Sequence, residues 1–116
     1  MFTGGRLGNN HTYDELYQVA IDILKGNDPL KNPFYGDIAQ FVSLHHRIAE
    51  ILYFRENNLE RFPSDLDGRI TLSRDDEDLF RDVFWDLFRQ GIITLGMDNN
   101  NVEYPWFRVS YLGKKI

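Results

Sequence analysis

The run Ser73-Arg74-Asp75-Asp76-Glu77-Asp78-Leu79-Phe80-Arg81-Asp82-Val83-Phe84-Trp85-Asp86-Leu87-Phe88-Arg89-Gln90-Gly91 decides how the rest of the chain folds. Ser73 is suited to cap a helix N-terminus, and four acidic residues follow it closely, where free amides and the positive end of the helix dipole favour negative charge. Gly91 supplies the stop. At about 100° per residue, Leu79, Phe80, Val83, Phe84, Leu87 and Phe88 form one continuous apolar half that has to be core. The opposite half carries Arg74, Asp75, Asp78, Arg81, Asp82, Trp85, Asp86 and Arg89. It divides into an Arg/Trp edge and an Asp edge. Arg81, Trp85 and Arg89 are spaced by four, which brings cation–π contact within reach.

Downstream, Ile92-Ile93-Thr94-Leu95 reads as a strand, Gly96 to Asn101 as a turn, and Trp106 to Tyr111 as the returning strand. Pro105 marks an edge position, where a missing N–H is tolerated. Upstream, Thr12 and Glu15 have capping-box spacing. Leu16, Val19, Ala20, Ile23 and Leu24 then share one helix face, which Gly26 ends. After a turn-rich stretch with Pro29 and Pro33, a second helix is expected to start at 33–37. Ile38, Phe41, Val42, His45, Ile48, Ala49, Leu52 and Tyr53 fall on it at helical spacing. Asn57-Asn58 and Pro63 end it, Leu59, Phe62 and Leu66 dock a connecting segment, and Ile70-Thr71-Leu72 is a short β-prone piece. Residues 1–11, rich in Gly and Asn, read as a flexible leader to a single domain at 12–116. The expected architecture is α+β and mostly helical, with helices near 12–25, 35–56 and 73–90 and a hairpin of 92–96 with 105–111.

Composition excludes several classes. With 116 residues, 42% of them hydrophobic, the chain suffices for one core and leaves no room for two. No stretch has the apolar length of a membrane span and no secretory signal is visible, so the expected location is cytoplasmic. The absence of cysteine removes disulfides, thiolate metal ligands and thiol nucleophiles. His45 and His46 are adjacent on a helix and point apart, and His11 lies in the leader, so no metal site is expected. Gly4-Gly5-Arg6-Leu7-Gly8 lacks the strand and the Gly-Lys-Ser/Thr of a phosphate loop. Ser43, Ser64 and Ser73 lack a nucleophile-elbow context. No catalytic residue, cofactor or small-molecule site is therefore expected.

The C-terminal third resembles a winged helix-turn-helix domain of the bacterial type. The likeness rests on Val83-Phe84-Trp85-Asp86-Leu87-Phe88-Arg89-Gln90-Gly91-Ile92-Ile93, a polar wing turn, and Tyr104-Pro105-Trp106-Phe107-Arg108-Val109-Ser110-Tyr111-Leu112-Gly113-Lys114-Lys115, in which Ser110 replaces the usual threonine. It covers residues 70–116. The chain departs from the family pattern in one respect: only Ser73 separates Leu72 from the helix, where the family has a further short helix.

The resemblance implies a non-enzymatic DNA-binding, transcription-regulatory domain. The residues that would carry binding are Arg74, Arg81, Trp85, Arg89, Arg108, Lys114 and Lys115. Charge points elsewhere. Residues 74–103 hold eight acids and three arginines, a net of −5, whereas 104–116 carry a net of +3. An acidic helix opposes the phosphate contacts that dominate affinity for DNA. The alternative expectation is a protein-interaction or oligomerisation module of the same fold, anchored by Trp85, Tyr104, Trp106 and Tyr111.

Overall fold

A computed structural model describes residues 5–27, 40–58 and 70–115. Along the chain these form β1 (Gly5–Arg6), α1 (Tyr13–Leu24), α2 (Phe41–Glu56), β2 (Ile70–Thr71), α3 (Arg74–Arg89), β3 (Ile93–Leu95) and β4 (Phe107–Val109), then a one-turn 3-10 segment, Gly113–Lys115. The described residues thus make an α+β arrangement of three helices and two small sheets. The expected three helices and C-terminal hairpin are all present.

Local chemistry sets the helix ends. Thr12 and Glu15 make the reciprocal capping box at the start of α1. The Ser73 hydroxyl accepts from the Asp76 amide at 3.2 Å, which satisfies one of the free N–H groups at the start of α3. Gly26 and Gly91 follow α1 and α3 with φ of +84° and +79°, a conformation that side chains with a Cβ rarely adopt. Helix α2 begins at Phe41, later than the expected 33–37, because Gln40 is extended and forms an antiparallel bridge with Trp106. The expected contacts of Leu59, Phe62 and Leu66 lie outside the described residues.

Strands β3 and β4 pair antiparallel, with Ile93 opposite Val109 and Leu95 opposite Phe107. Successive side chains of a strand point to opposite faces. Phe107 therefore turns into the core, where its ring meets Phe84 at 5.5 Å, and Arg108 turns to solvent. Strand β2 pairs in parallel with β1.

The hairpin closes through the Ser110-to-Gly113 stretch on which the family likeness rests. The Ser110 amide donates to the Ile92 carbonyl at 2.8 Å, its hydroxyl donates to the Gly91 carbonyl, and the same oxygen accepts from the Gly113 amide at 2.9 Å. A Cβ at Gly113 would collide with the Ile92 carbonyl. Gly113 is needed there for close approach of two backbones.

The core gathers Leu16, Ile48, Ile51, Phe80, Phe84 and Leu87 with strand residues Ile70, Ile93 and Phe107. Two residues expected inside are not. Phe88 is 40% exposed, because it sits at the margin of the apolar half of α3 and in its last turn, where it packs edge-on against Trp85 at 5.9 Å. Val42 is 47% exposed, and Leu44 and Ile51 are buried instead. The buried face of α2 is thus rotated from the expected one.

Phe84 is fully buried and touches the rings of Phe41, Trp85, Tyr104 and Phe107. Phe84→Ala is expected to cost about 3–5 kcal/mol in denaturant unfolding, as emptying a core phenylalanine does. Gly113→Ala is expected to cost about 1–3 kcal/mol, since the backbone it meets cannot yield. A loss under about 0.5 kcal/mol in that melt would show that the close approach to Ile92 is absent.

Candidate functional site

The acidic edge of α3 is covered by the N-terminal segment. Residues 5–11, expected as a flexible leader, are placed along it as a strap. The Leu7 side chain is buried, and its amide donates to the Thr71 carbonyl at 2.8 Å. Arg6 donates to Glu77 at 2.8 Å and to the Leu72 carbonyl at 3.0 Å. Asn10 donates to Asp75 at 2.9 Å. Beyond the strap, Tyr13 donates to Asp86 and Tyr17 to Gln90. Burial, and then the bond to the Asp86 carboxylate, push the Tyr13 hydroxyl up to about 12.

His11 lies between two carboxylates. Its Nδ1 is 2.7 Å from Asp76 and its Nε2 is 2.6 Å from Glu56, while its backbone amide also donates to Asp76 at 2.9 Å. Asp76 is 0% exposed. Burial of the ring disfavours its charged form, but hydrogen bonds and attraction from Asp76 and Glu56 outweigh that, and the His11 pKa is raised. Each ring nitrogen faces a different carboxylate, and among the described residues no group of His, Asp and Glu is arranged to hold a metal ion.

What α3 leaves open is an aromatic ridge. The Trp85 ring stacks on Tyr104 with centroids 5.6 Å apart and planes at 25°. Phe41 adjoins Tyr104 at 5.7 Å, and Phe88 continues the ridge beyond Trp85. Trp85 itself is half-buried under Tyr104, which is 48% exposed. The expected open tryptophan is therefore one member of a partly covered pair. Trp106 is half-buried, whereas Tyr111 is exposed and carries Lys115 over its ring at 4.2 Å.

The basic residues expected at the site do not converge. Arg81 approaches Asp78 at 3.5 Å and Arg89 pairs with Asp86. Both guanidinium groups thus turn to aspartates of their own helix instead of the Trp85 ring. Arg74 stands at the opposite end of α3 from Lys114 and Lys115, which are exposed and follow the Ser110-to-Gly113 stretch held to Gly91 and Ile92. A helix of 16 residues separates its ends by about 24 Å. Arg108 faces away from α3 on the far side of the hairpin. Glu77 is held by Arg6.

His45 and His46 stack at 5.3 Å and both hold β2. His46 Nδ1 donates to the Ile70 carbonyl at 2.8 Å. The Leu72 amide donates to His45 Nε2 at 3.1 Å, so that nitrogen carries no proton. Burial, and then the neighbouring His46, lower the His45 pKa. A shallow cleft of about 220 Å³ opens beside it, lined by Phe41, His45, Glu77, Phe80 and Arg81. Its polar groups are already engaged with Leu72, Arg6 and Asp78.

No protein-family profile, curated protein or solved structure matches this chain. The geometry of the site therefore carries the functional argument.

The lowered pKa of His45 fixes a sign. The folded state binds fewer protons than the unfolded one between the depressed value and the ordinary value of about 6.5, so stability falls as pH drops below that ordinary value. Thermal melts from pH 7 to pH 5 are expected to lose less stability in His45→Gln than in the wild-type protein. Equal slopes would show that the bond to Leu72 does not couple to protonation.

Proposed function

We propose that this domain recognises protein, docking a partner on the Phe41–Tyr104–Trp85–Phe88 ridge. One observation carries the reading: a large stacked aromatic pair stays partly exposed, although the same helix buries Phe80, Phe84 and Leu87 completely. Trp and Tyr are residue types enriched where binding energy concentrates. The winged-helix likeness belongs to this reading, supported by the order of α3, hairpin and Ser110-to-Gly113 closure. It supplies a scaffold, and fold alone does not choose the ligand.

The charges favour protein over duplex DNA. Arg81 and Arg89 are turned toward aspartates of their own helix, and Asp78 and Asp82 are exposed beside the ridge. Bringing these carboxylates to a phosphate backbone costs affinity. A polypeptide segment with an apolar or aromatic anchor flanked by Lys or Arg complements both features. The anchor covers the rings, and the cations meet Asp78 and Asp82.

A displayed peptide library selected on the immobilised domain tests this. Expected are sequences pairing apolar anchors with basic flanks, whose binding falls about 30-fold or more in Trp85→Ala, as for a hot-spot residue worth about 2 kcal/mol. Anisotropy with mixed-sequence duplex DNA is expected to show negligible binding at physiological salt. The reading is overturned by steeply salt-sensitive DNA binding that is lost in Arg81→Ala and Arg89→Ala.

A further inference from the structure

We propose that His11 is a pH-responsive latch, which in its doubly protonated form clamps residues 5–11 to the C-terminal end of α2 and the first turn of α3, and releases them as the ring loses a proton. The geometry points to this independently of the docking surface. Both ring nitrogens lie within hydrogen-bond distance of carboxylate oxygens, 2.7 Å to Asp76 and 2.6 Å to Glu56. Ionised carboxylates only accept, so both contacts are hydrogen bonds only when both nitrogens carry hydrogen. A neutral imidazole donates one and turns its other lone pair toward an anion. Asp76, buried and also accepting the His11 amide, then loses much of its neutralising partner.

The surroundings reinforce the requirement. The charged groups acting on the ring are Asp76 from α3, Glu56 from α2 and Glu15 from α1, all anionic. None compensates for loss of the imidazolium charge. The raised pKa agrees: the folded state binds more protons than the unfolded one between the ordinary value and the raised one. The stabilisation is therefore complete below about 6.5 and lost as pH climbs through the folded value.

The rest of the strap is slight enough for this contact to govern it. Its other ties are the two-residue pairing of β1 with β2, the Leu7 amide on the Thr71 carbonyl, Arg6 on Glu77 and on the Leu72 carbonyl, the exposed Asn10–Asp75 bond and the buried Leu7 side chain. Exposed pairs of this kind contribute little individually. Release frees Asp75 and Glu77 of their strap partners, opens the edge of β2 and withdraws Leu7 from the core.

Proton-detected NMR of the intact protein tests the latch. Imidazole resonances of His11 are followed from pH 5.5 to 9.5, together with hydrogen exchange and heteronuclear relaxation of the amides at 6–10. Expected is a loss of order in these amides that tracks the His11 titration. Exchange at Leu7 should rise about tenfold beyond the chemical pH effect for each unit by which the pKa is raised, while Phe84 and Leu87 stay protected. Glu56→Gln keeps the buried partner and should move the transition to lower pH. His11→Gln should abolish the pH dependence of strap order, and where it does not fold, the wild-type and Glu56→Gln titrations decide. An equally ordered strap at pH 6 and pH 9, or a transition unmoved by Glu56→Gln, overturns the proposal.

Discussion

The buried carboxylate of Asp76 is the constraint on which the arrangement turns. An ionised group taken out of water has to be compensated by charge and hydrogen bonds. Here compensation comes from the His11 amide, which donates to the carboxylate, and from the His11 ring. Because those partners come from a segment far away in sequence, the burial of one side chain fixes the path of the N-terminal strap. The strap in turn places Arg6 against Glu77 and Leu7 in the core. Glu56, at the end of α2, completes the junction, so that all three helices meet around one imidazole.

This junction divides α3 into three strips with different physical duties. The apolar strip is core and is tied to the hairpin by the Phe84–Phe107 contact. The acidic strip is largely absorbed by the strap and by Tyr13. What remains is the narrow strip from Arg81 to Phe88, crossed by Tyr104 from the loop between the strands. A helix with net negative charge thus presents its surroundings chiefly with rings, and with the exposed carboxylates of Asp78 and Asp82. That is a surface for apolar contact bordered by selective charge, which steers a choice of partner more than it attracts polyanions.

Much of this was legible in the sequence where the determinants were local. Thr12 with Glu15, Ser73 with Asp76, and the glycines at 26 and 91 act within one turn of chain, and the structure has them doing so. The burial of Phe80, Phe84 and Leu87 followed from periodicity. The strap was not legible. Glycines and asparagines in 1–11 signal looseness, and nothing in the spacing of His11, Glu56 and Asp76 reports that three elements converge. An aspartate three residues after a capping serine looks like first-turn electrostatics whether it faces water or a histidine. Phe88 and Val42 show the limit of periodicity from the other side. Their positions on the helix were clear, but which margin of a face is covered depends on neighbours that the helix does not encode. For the ridge, Trp85 could be singled out from its own helix. Its pairing with Tyr104 required knowing where the loop after β3 returns.

The span of the strap's contacts sets an order on the folding of the chain. The His11–Asp76 bond joins residues 65 apart in sequence, whereas the hairpin closes Ile93 onto Val109 and each helix closes on itself. Closing a long loop loses more chain entropy than closing a short one, and contacts of high sequence separation slow folding. Strap residues are also synthesised before α3 exists to receive them. Each helix and the hairpin can therefore form on local information, whereas the strap, like the docking of α1 on α3 through Tyr13 and Tyr17, waits for the two ends of the chain to meet.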